Sequence, residues 1–450
     1  MMMTHNRRKA LAATRRTALL LPLGLLSGCG LWDSWFGSDK PPLPGTRIAV
    51  MPPQPGLDLV SSAVRKVVLP PPAPNAEWPQ AGGLPSHDME HPALRDTLAR
   101  AWSADIGTGS SYRRKITAQP VVAGGRVFAM DSDAVVSAFD AASGRRVWSL
   151  DTQDDEDRST NVGGGISADG GTLYAATGRA DLLAIEAATG KVQWRVKLGA
   201  PARSAPTIAE GKLFIPTISN QLQARAADDG RRLWAYEAGN AETPMLGLPA
   251  PAYTDGLVVA GFGSGDLVGL RASSGVAAWA DSLAASRGRT SMADLSAIRG
   301  RPIIKEGRVY AIGLGRQLVA LDLRSGRRLW EREVASTETP WAAGNWLFVL
   351  SDSGQLAAVA RDDGSVAWVT QLDRFENMKK QTDPIRWVGP VLAGDRLVVA
   401  GTNKFALALS PYTGEIIGKQ ELPGAAALTP IVADGTLYIL TDNATLTAFR

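Results

Sequence analysis

Residues able to do chemistry are few in this chain of 450 amino acids. Three histidines occur, His5, His87 and His91. The last two lie in "SHDMEH" with an i,i+4 spacing that could put two imidazoles on one helical face, as a zinc site requires. Glu90 stands beside the second histidine, so the H-E-x-x-H order of a zinc protease is absent. The stretch reads as a polar lead-in loop without a metal. No histidine follows residue 91, which removes an ordinary Ser-His-Asp relay from the rest of the chain. Cys29 is the only cysteine, so there is neither a C-x-x-C-H haem motif nor a disulfide pair. The acidic run "DTQDDED" (151–157) lacks the alternating ligands and glycine of a calcium loop and reads as solvated. "GFGSGD" (261–266) leads from one strand into another and offers no helix N-terminus for a phosphate. The basic "YRRK" (112–115) reads as a charged rim and not a nucleic-acid footprint. No catalytic residue, metal or cofactor is expected.

The N-terminus carries addressing information. Arg7, Arg8, Lys9, Arg15 and Arg16 precede the apolar run "ALLLPLGLL" (18–26), which is too short to span a bilayer and suits an export signal. The run ends in Leu26-Ser27-Gly28-Cys29, which resembles a bacterial lipoprotein signal. That resemblance implies cleavage before Cys29 and lipidation of its sulfur and amino group. An ordinary signal peptide with an incidental cysteine is the alternative, and Arg15-Arg16 also admits a twin-arginine export route. Without residues 1–28 the formal charge falls from +4 to about −1, because five basic and no acidic residues leave. The basic balance of the whole chain is therefore no sign of nucleic-acid binding. From residue 29 to 77, "DKPPLPG", "MPPQPG" and "LPPPAPN" favour an extended, semi-rigid tether. A short lead-in (78–97) then precedes one large folded body (98–450).

That body is repetitive. "AFDAASGRRVW" (138–148) and "ALDLRSGRRLW" (320–330) are the same phrase. Aligning on Gly-x-x-x-Trp gives full copies ending at Trp148, Trp194, Trp234, Trp279, Trp330 and Trp368, and a further copy with Gly418 in the tryptophan position. A repeat near 45 residues predicts propeller blades of four short antiparallel strands. Eight apolar runs following a turn, from "GGRVFAM" (124–130) to "DGTLYIL" (434–440), predict eight such blades. The chain stops at "LTAFR" (446–450), before the glycine and tryptophan of its repeat, while "LARAWSADI" around Trp102 supplies the missing outer strand. The fold class is thus an all-β, eight-bladed propeller closed by pairing of its N- and C-terminal strands. The glycines are expected at tight turns, the tryptophans between blades, and the propeller as a monomer.

The A-x-D-x-x-x-G-x-x-x-W spacing resembles the tryptophan-docking repeat of PQQ-type quinoprotein propellers. Joined to the lipid signal and proline-rich tether, it resembles the BamB family of outer-membrane β-barrel assembly lipoproteins, and "NAEWPQAGG" (75–83) resembles its α-proteobacterial members. The resemblance implies a non-enzymatic, cofactor-free scaffold of the BAM complex. Such a scaffold docks onto the POTRA region of BamA and assists insertion of unfolded outer-membrane protein clients. It also implies a lipid anchor in the outer membrane, facing the periplasm; Gly30 after the cysteine fits that destination. The family's BamA-binding loops align with "PMLGLPAP", giving Met245, Leu246, Gly247 and Leu248, and with "DLSAIRGRP", giving Asp294 and Arg299. Leu246 replaces the family's arginine, and Ala297 and Arg299 replace its acidic pair. Met245, Leu246 and Leu248 then either make an exposed apolar contact or cap blade edges. The other reading, an exported PQQ-dependent dehydrogenase, shares the repeat.

Overall fold

The computed structural model describes residues 56–58, 65–153, 160–239, 247–284 and 296–450. The lipid signal, Cys29 and the first part of the tether lie outside them. The rest of the tether does not stand clear of the body. Leu57 and Val67 are buried among blade side chains, and Arg65 pairs with Asp362 and Asp363 at 2.8 Å. Residues upstream of 78 therefore pack with the body.

Eight four-stranded antiparallel sheets follow one another, each ordered from an inner first strand to an outer fourth. Blade 1 comprises Val121–Ala123, Arg126–Met130, Val135–Asp140 and Arg146–Asp151, and blade 7 ends with Ile416–Glu421. Blade 8 takes three strands from the C-terminus, ending in Thr445–Phe449, and its fourth from Arg100–Asp105. Reciprocal bonds of 2.8 and 2.9 Å between Ala99 and Arg450 complete that seam. Each of the eight apolar runs forms the second strand of its blade. Among the described residues there is no helix, and the one sheet outside the blades is the hairpin Phe375–Asn377 with Thr382–Pro384, between blades 6 and 7.

The core lies between blades. Phe128, Met130 and Val136 of blade 1 pack with Ile166, Leu173 and Leu183 of blade 2, and the other clusters repeat the pattern. Each repeat tryptophan stands on a fourth strand and docks on the turn joining the third and fourth strands of the next blade. A Cβ added at Gly190, where φ is +78°, would lie 2.8 Å from the Trp148 ring, so only glycine both makes the turn and admits the indole. Trp148 also donates its indole proton to the Ala187 carbonyl at 3.0 Å. Trp102, Trp234, Trp279, Trp330 and Trp368 make the equivalent bond at 2.7–3.1 Å. At Trp194 the Tyr174 hydroxyl takes this part, reaching Ala227 at 3.2 Å. The small residue of the repeat is opposite the tryptophan across the strand pair, as Ala138 is to Trp148, and leaves room for the ring.

Gly418 now has a reason. It occupies the tryptophan position on blade 7, opposite Ala408. The next blade has no turn between its third and fourth strands, because these come from opposite ends of the chain. An indole there would have no glycine turn to cover. On its other side blade 8 is tied to blade 1 by Arg450, which donates to Thr436 Oγ1 within the blade at 2.9 Å and to the Ala142 carbonyl of blade 1 at 3.1 Å.

Candidate functional site

The lead-in is not the polar loop expected from its composition. It runs round one face of the ring and bonds to every blade. Asn75 accepts from Asp434 of blade 8, Trp78 exchanges bonds with Val122 of blade 1, and Pro79 accepts from Ala168 of blade 2. Gln80 accepts from Ile208 of blade 3, Pro85 from Tyr253 of blade 4, and Ser86 from Ile304 of blade 5. The Glu90 carbonyl takes the Trp341 indole proton of blade 6, and Pro92 accepts from Gly394 of blade 7. These bonds measure 2.7–3.0 Å. Each first strand has an unpaired inner edge, and the segment satisfies one group on edge or turn after another.

Both histidines serve this closure. Nδ1 of His87 donates to the Pro302 carbonyl at 2.7 Å. Nδ1 of His91 donates to Pro70, and its Nε2 accepts from the Asp395 amide at 3.0 Å. Held on separate backbone partners, they are no metal pair, and no metal-holding cluster occurs among the described residues. Burial, with Arg301 nearby, drives His87 down to about 3. Lys305 of blade 5, itself buried, pairs with Asp88 at 2.8 Å and with Glu90, fixing the middle of the segment.

The opposite face, where chain passes from blade to blade, opens into a funnel. Its mouth has a volume of about 740 Å³ and is bordered by Lys115, Arg374, Phe375, Ile385 and Trp387. Below is a smaller cavity of about 130 Å³ reaching Ala81 of the crossing segment, which packs with Ala205 and Ala250. Arg203, Arg299, Arg301 and Arg386 line this cavity with a single carboxylate, Glu338. Glu338 accepts from the Gly389 amide at 3.2 Å and the Thr429 hydroxyl at 3.1 Å. Burial lifts its carboxyl above the usual range despite those bonds and the charge of Arg386. Burial also lowers Arg203 and Arg299, and takes Arg301 to about 10. Arg203, Glu338 and Arg386 each precede a first strand in a different inter-blade connection, and Arg299 and Arg301 share a fourth. A charge just upstream of the Pro-containing strand starts was the signal that could have exposed them.

Of the residues aligned with partner-binding loops, Met245, Leu246 and Asp294 lie outside the described residues. Gly247 and Arg299, 52 positions apart, are brought together: a Cβ on Gly247 would be 3.4 Å from Arg299 Nη2, at the funnel mouth. Leu248 departs from the exposed apolar contact. It is buried, with its amide bonded to the Arg203 carbonyl. Arg114 pairs with Asp133 at 2.5 Å, as a charged rim should, and "GFGSGD" forms a turn between the second and third strands of blade 4.

The family described as "Outer membrane protein assembly factor BamB" matches residues 97–162, 132–370 and 371–450. The chain belongs to the BamB family. Outer membrane protein assembly factor BamB of Yersinia pestis is 28% identical over 360 residues, 78% of this chain and 88% of that protein. The Escherichia coli K12 protein of the same name is 27% identical over 356 residues, with the same two coverages. Crystalline BamB from Moraxella catarrhalis superposes with a TM-score of 0.67 at 21% identity, covering 79% of this chain and all of that one. The fold extends beyond BamB proteins. Quinohemoprotein alcohol dehydrogenase from Comamonas testosteroni gives a TM-score of 0.63 at 14% identity, covering 84% and 81% of the two chains.

Proposed function

We propose that this protein is a non-enzymatic scaffold subunit of the outer-membrane β-barrel assembly complex, assisting insertion of outer-membrane proteins. The family match across residues 97–450 carries the reading. At finer grain, the scaffold binds BamA through its POTRA region and is anchored by a lipidated Cys29 in the outer membrane, facing the periplasm. Met245, Leu246, Gly247, Leu248, Asp294 and Arg299 are the proposed contact region, in which Leu248 is buried. The close approach of Gly247 and Arg299 favours a single surface built from both loops.

Affinity purification from crosslinked envelopes tests the core of this reading. BamA should be recovered with the wild-type chain, and its consistent absence would overturn the proposal. Replacing Met245 and Leu246 together by Asp should reduce BamA recovery at least tenfold, about the loss expected for a desolvated apolar anchor, while leaving the unfolding midpoint unchanged. Undiminished recovery would reject these loops as the contact. Cys29→Ser should abolish incorporation of labelled palmitate and shift the protein out of the membrane fraction. The shared fold with quinohemoprotein dehydrogenases calls for a separate control. Dye-linked turnover after addition of PQQ and calcium would support an enzyme and count against the scaffold.

A further inference from the structure

We propose that the inner cavity of the funnel is a binding site for a small oxyanion, of the phosphate or short dicarboxylate class. The argument begins with charge. Four guanidinium groups, from Arg203, Arg299, Arg301 and Arg386, border a cavity of about 130 Å³ in which Glu338 is the sole carboxylate. They converge from the connections entering blades 3, 5 and 7, and the crossing segment closes the cavity at Ala81. Arg203 is buried, Arg299 and Arg301 are half-buried and Arg386 is exposed, and gathering these like charges around one narrow cavity is unfavourable unless an opposite charge accompanies them.

Hydrogen-bond accounting points the same way. Nε of Arg203 and Nε of Arg301 are buried and have no hydrogen-bond partner, and Arg203 as a whole is 8% exposed. Other groups here are bonded: Arg203 Nη1 donates to Val162, and Arg386 Nη2 donates to the Ala427 carbonyl at 3.3 Å. Glu338 is already engaged by an amide and a hydroxyl, and one carboxyl cannot balance four guanidinium groups. Even at about 10, Arg301 remains charged near neutral pH. Guanidinium forks match carboxylate and phosphate oxygens in planar pairs, whereas a halide satisfies one donor direction at a time. The volume suits several water-sized groups, and so a compact anion rather than a folded partner. The wider mouth carries Lys115 and Arg374 together with Asp352 and Asp442, so the excess positive charge is concentrated in the cavity below it.

Calorimetry and thermal unfolding of the full chain test the site, with sodium phosphate, succinate and chloride compared at equal ionic strength. Phosphate or succinate should bind saturably in a one-to-one ratio. At about a hundredfold excess over Kd either should raise the unfolding midpoint by about 2 °C or more, with chloride ineffective. Arg301→Met should abolish saturation. In ligand-free, low-salt buffer the same variant should unfold at or above the wild-type midpoint, because it removes one of four like charges around the cavity, and fall below it once phosphate is added. Arg386→Gln, nearer the mouth, should weaken binding about tenfold and supplies the readout if Arg301→Met does not fold. Three results would each overturn the proposal: equal effects of chloride and phosphate, a response that never saturates, or unchanged phosphate binding in the variants.

Discussion

His87 shows how far a residue's chemistry is decided by its surroundings. Its Nδ1 is committed to Pro302, its Nε2 is buried without a partner, and protonation is suppressed until about pH 3. An unfolded chain binds that proton below about pH 6.5, so the unfolded state holds more protons across the intervening window. Stability must therefore fall as pH drops from about 6.5 towards 3, with a slope of up to about 1.4 kcal/mol per pH unit from this residue. Denaturant titrations at several pH values should show a shallower acid slope in His87→Asn, which keeps a donor for Pro302 but cannot titrate. At this scale sequence reading was least informative. The i,i+4 pair was visible, but its partners lie 21 and 215 positions away and no local pattern announces them. The acidic repeat position behaved more locally: Asp140 accepts from the Ser143 amide and hydroxyl, and these bonds hold its carboxyl below the usual range. Asp322 does the same with Ser325.

The blade is the element that the sequence states openly. Glycine, tryptophan and the small residue opposite it all lie within eleven positions, so their spacing survives translation into strands and turns. Trp368→Ala should cost about 3–5 kcal/mol in chemical denaturation, the usual range for emptying a large aromatic site. Gly414→Ala should also destabilise, because its φ is +77° and the new methyl would sit 2.5 Å from the Trp368 ring. The crossing segment is the contrasting element. It has no periodicity, and its order comes from single bonds to eight separate sheets. Lys305→Met would leave Asp88 and Glu90 without their shared cation at a partly buried site, costing up to about 3–5 kcal/mol. Amide exchange should accelerate first at residues 86–92, ahead of the blades; uniform protection would contradict this role.

For the whole molecule, blade number and closure were legible because the missing pieces at the two ends of the chain are complementary. The axial arginines were not, since a ring gathers residues from connections that never meet in sequence. Closure also predicts the consequence of truncation. Removing residues 444–450 would unpair Arg100–Asp105 and expose the edge of Thr436–Leu440. Light scattering should then report association, and the sharp thermal transition should broaden. A monomeric, cooperatively unfolding truncated protein would show that the seam is dispensable.

The segment encircling the ring also imposes a timetable. Asn75 needs the backbone around Val432 and Asp434, and Ala99 needs Arg450, so residues made early find their permanent partners among those made last. During synthesis from the amino end, each finished blade can stack on its predecessor, but the basket stays lidless and its rim unlaced until the final few residues emerge. Native architecture consequently waits on residues 432–450, and an interruption just before them is far more damaging than the few missing residues suggest.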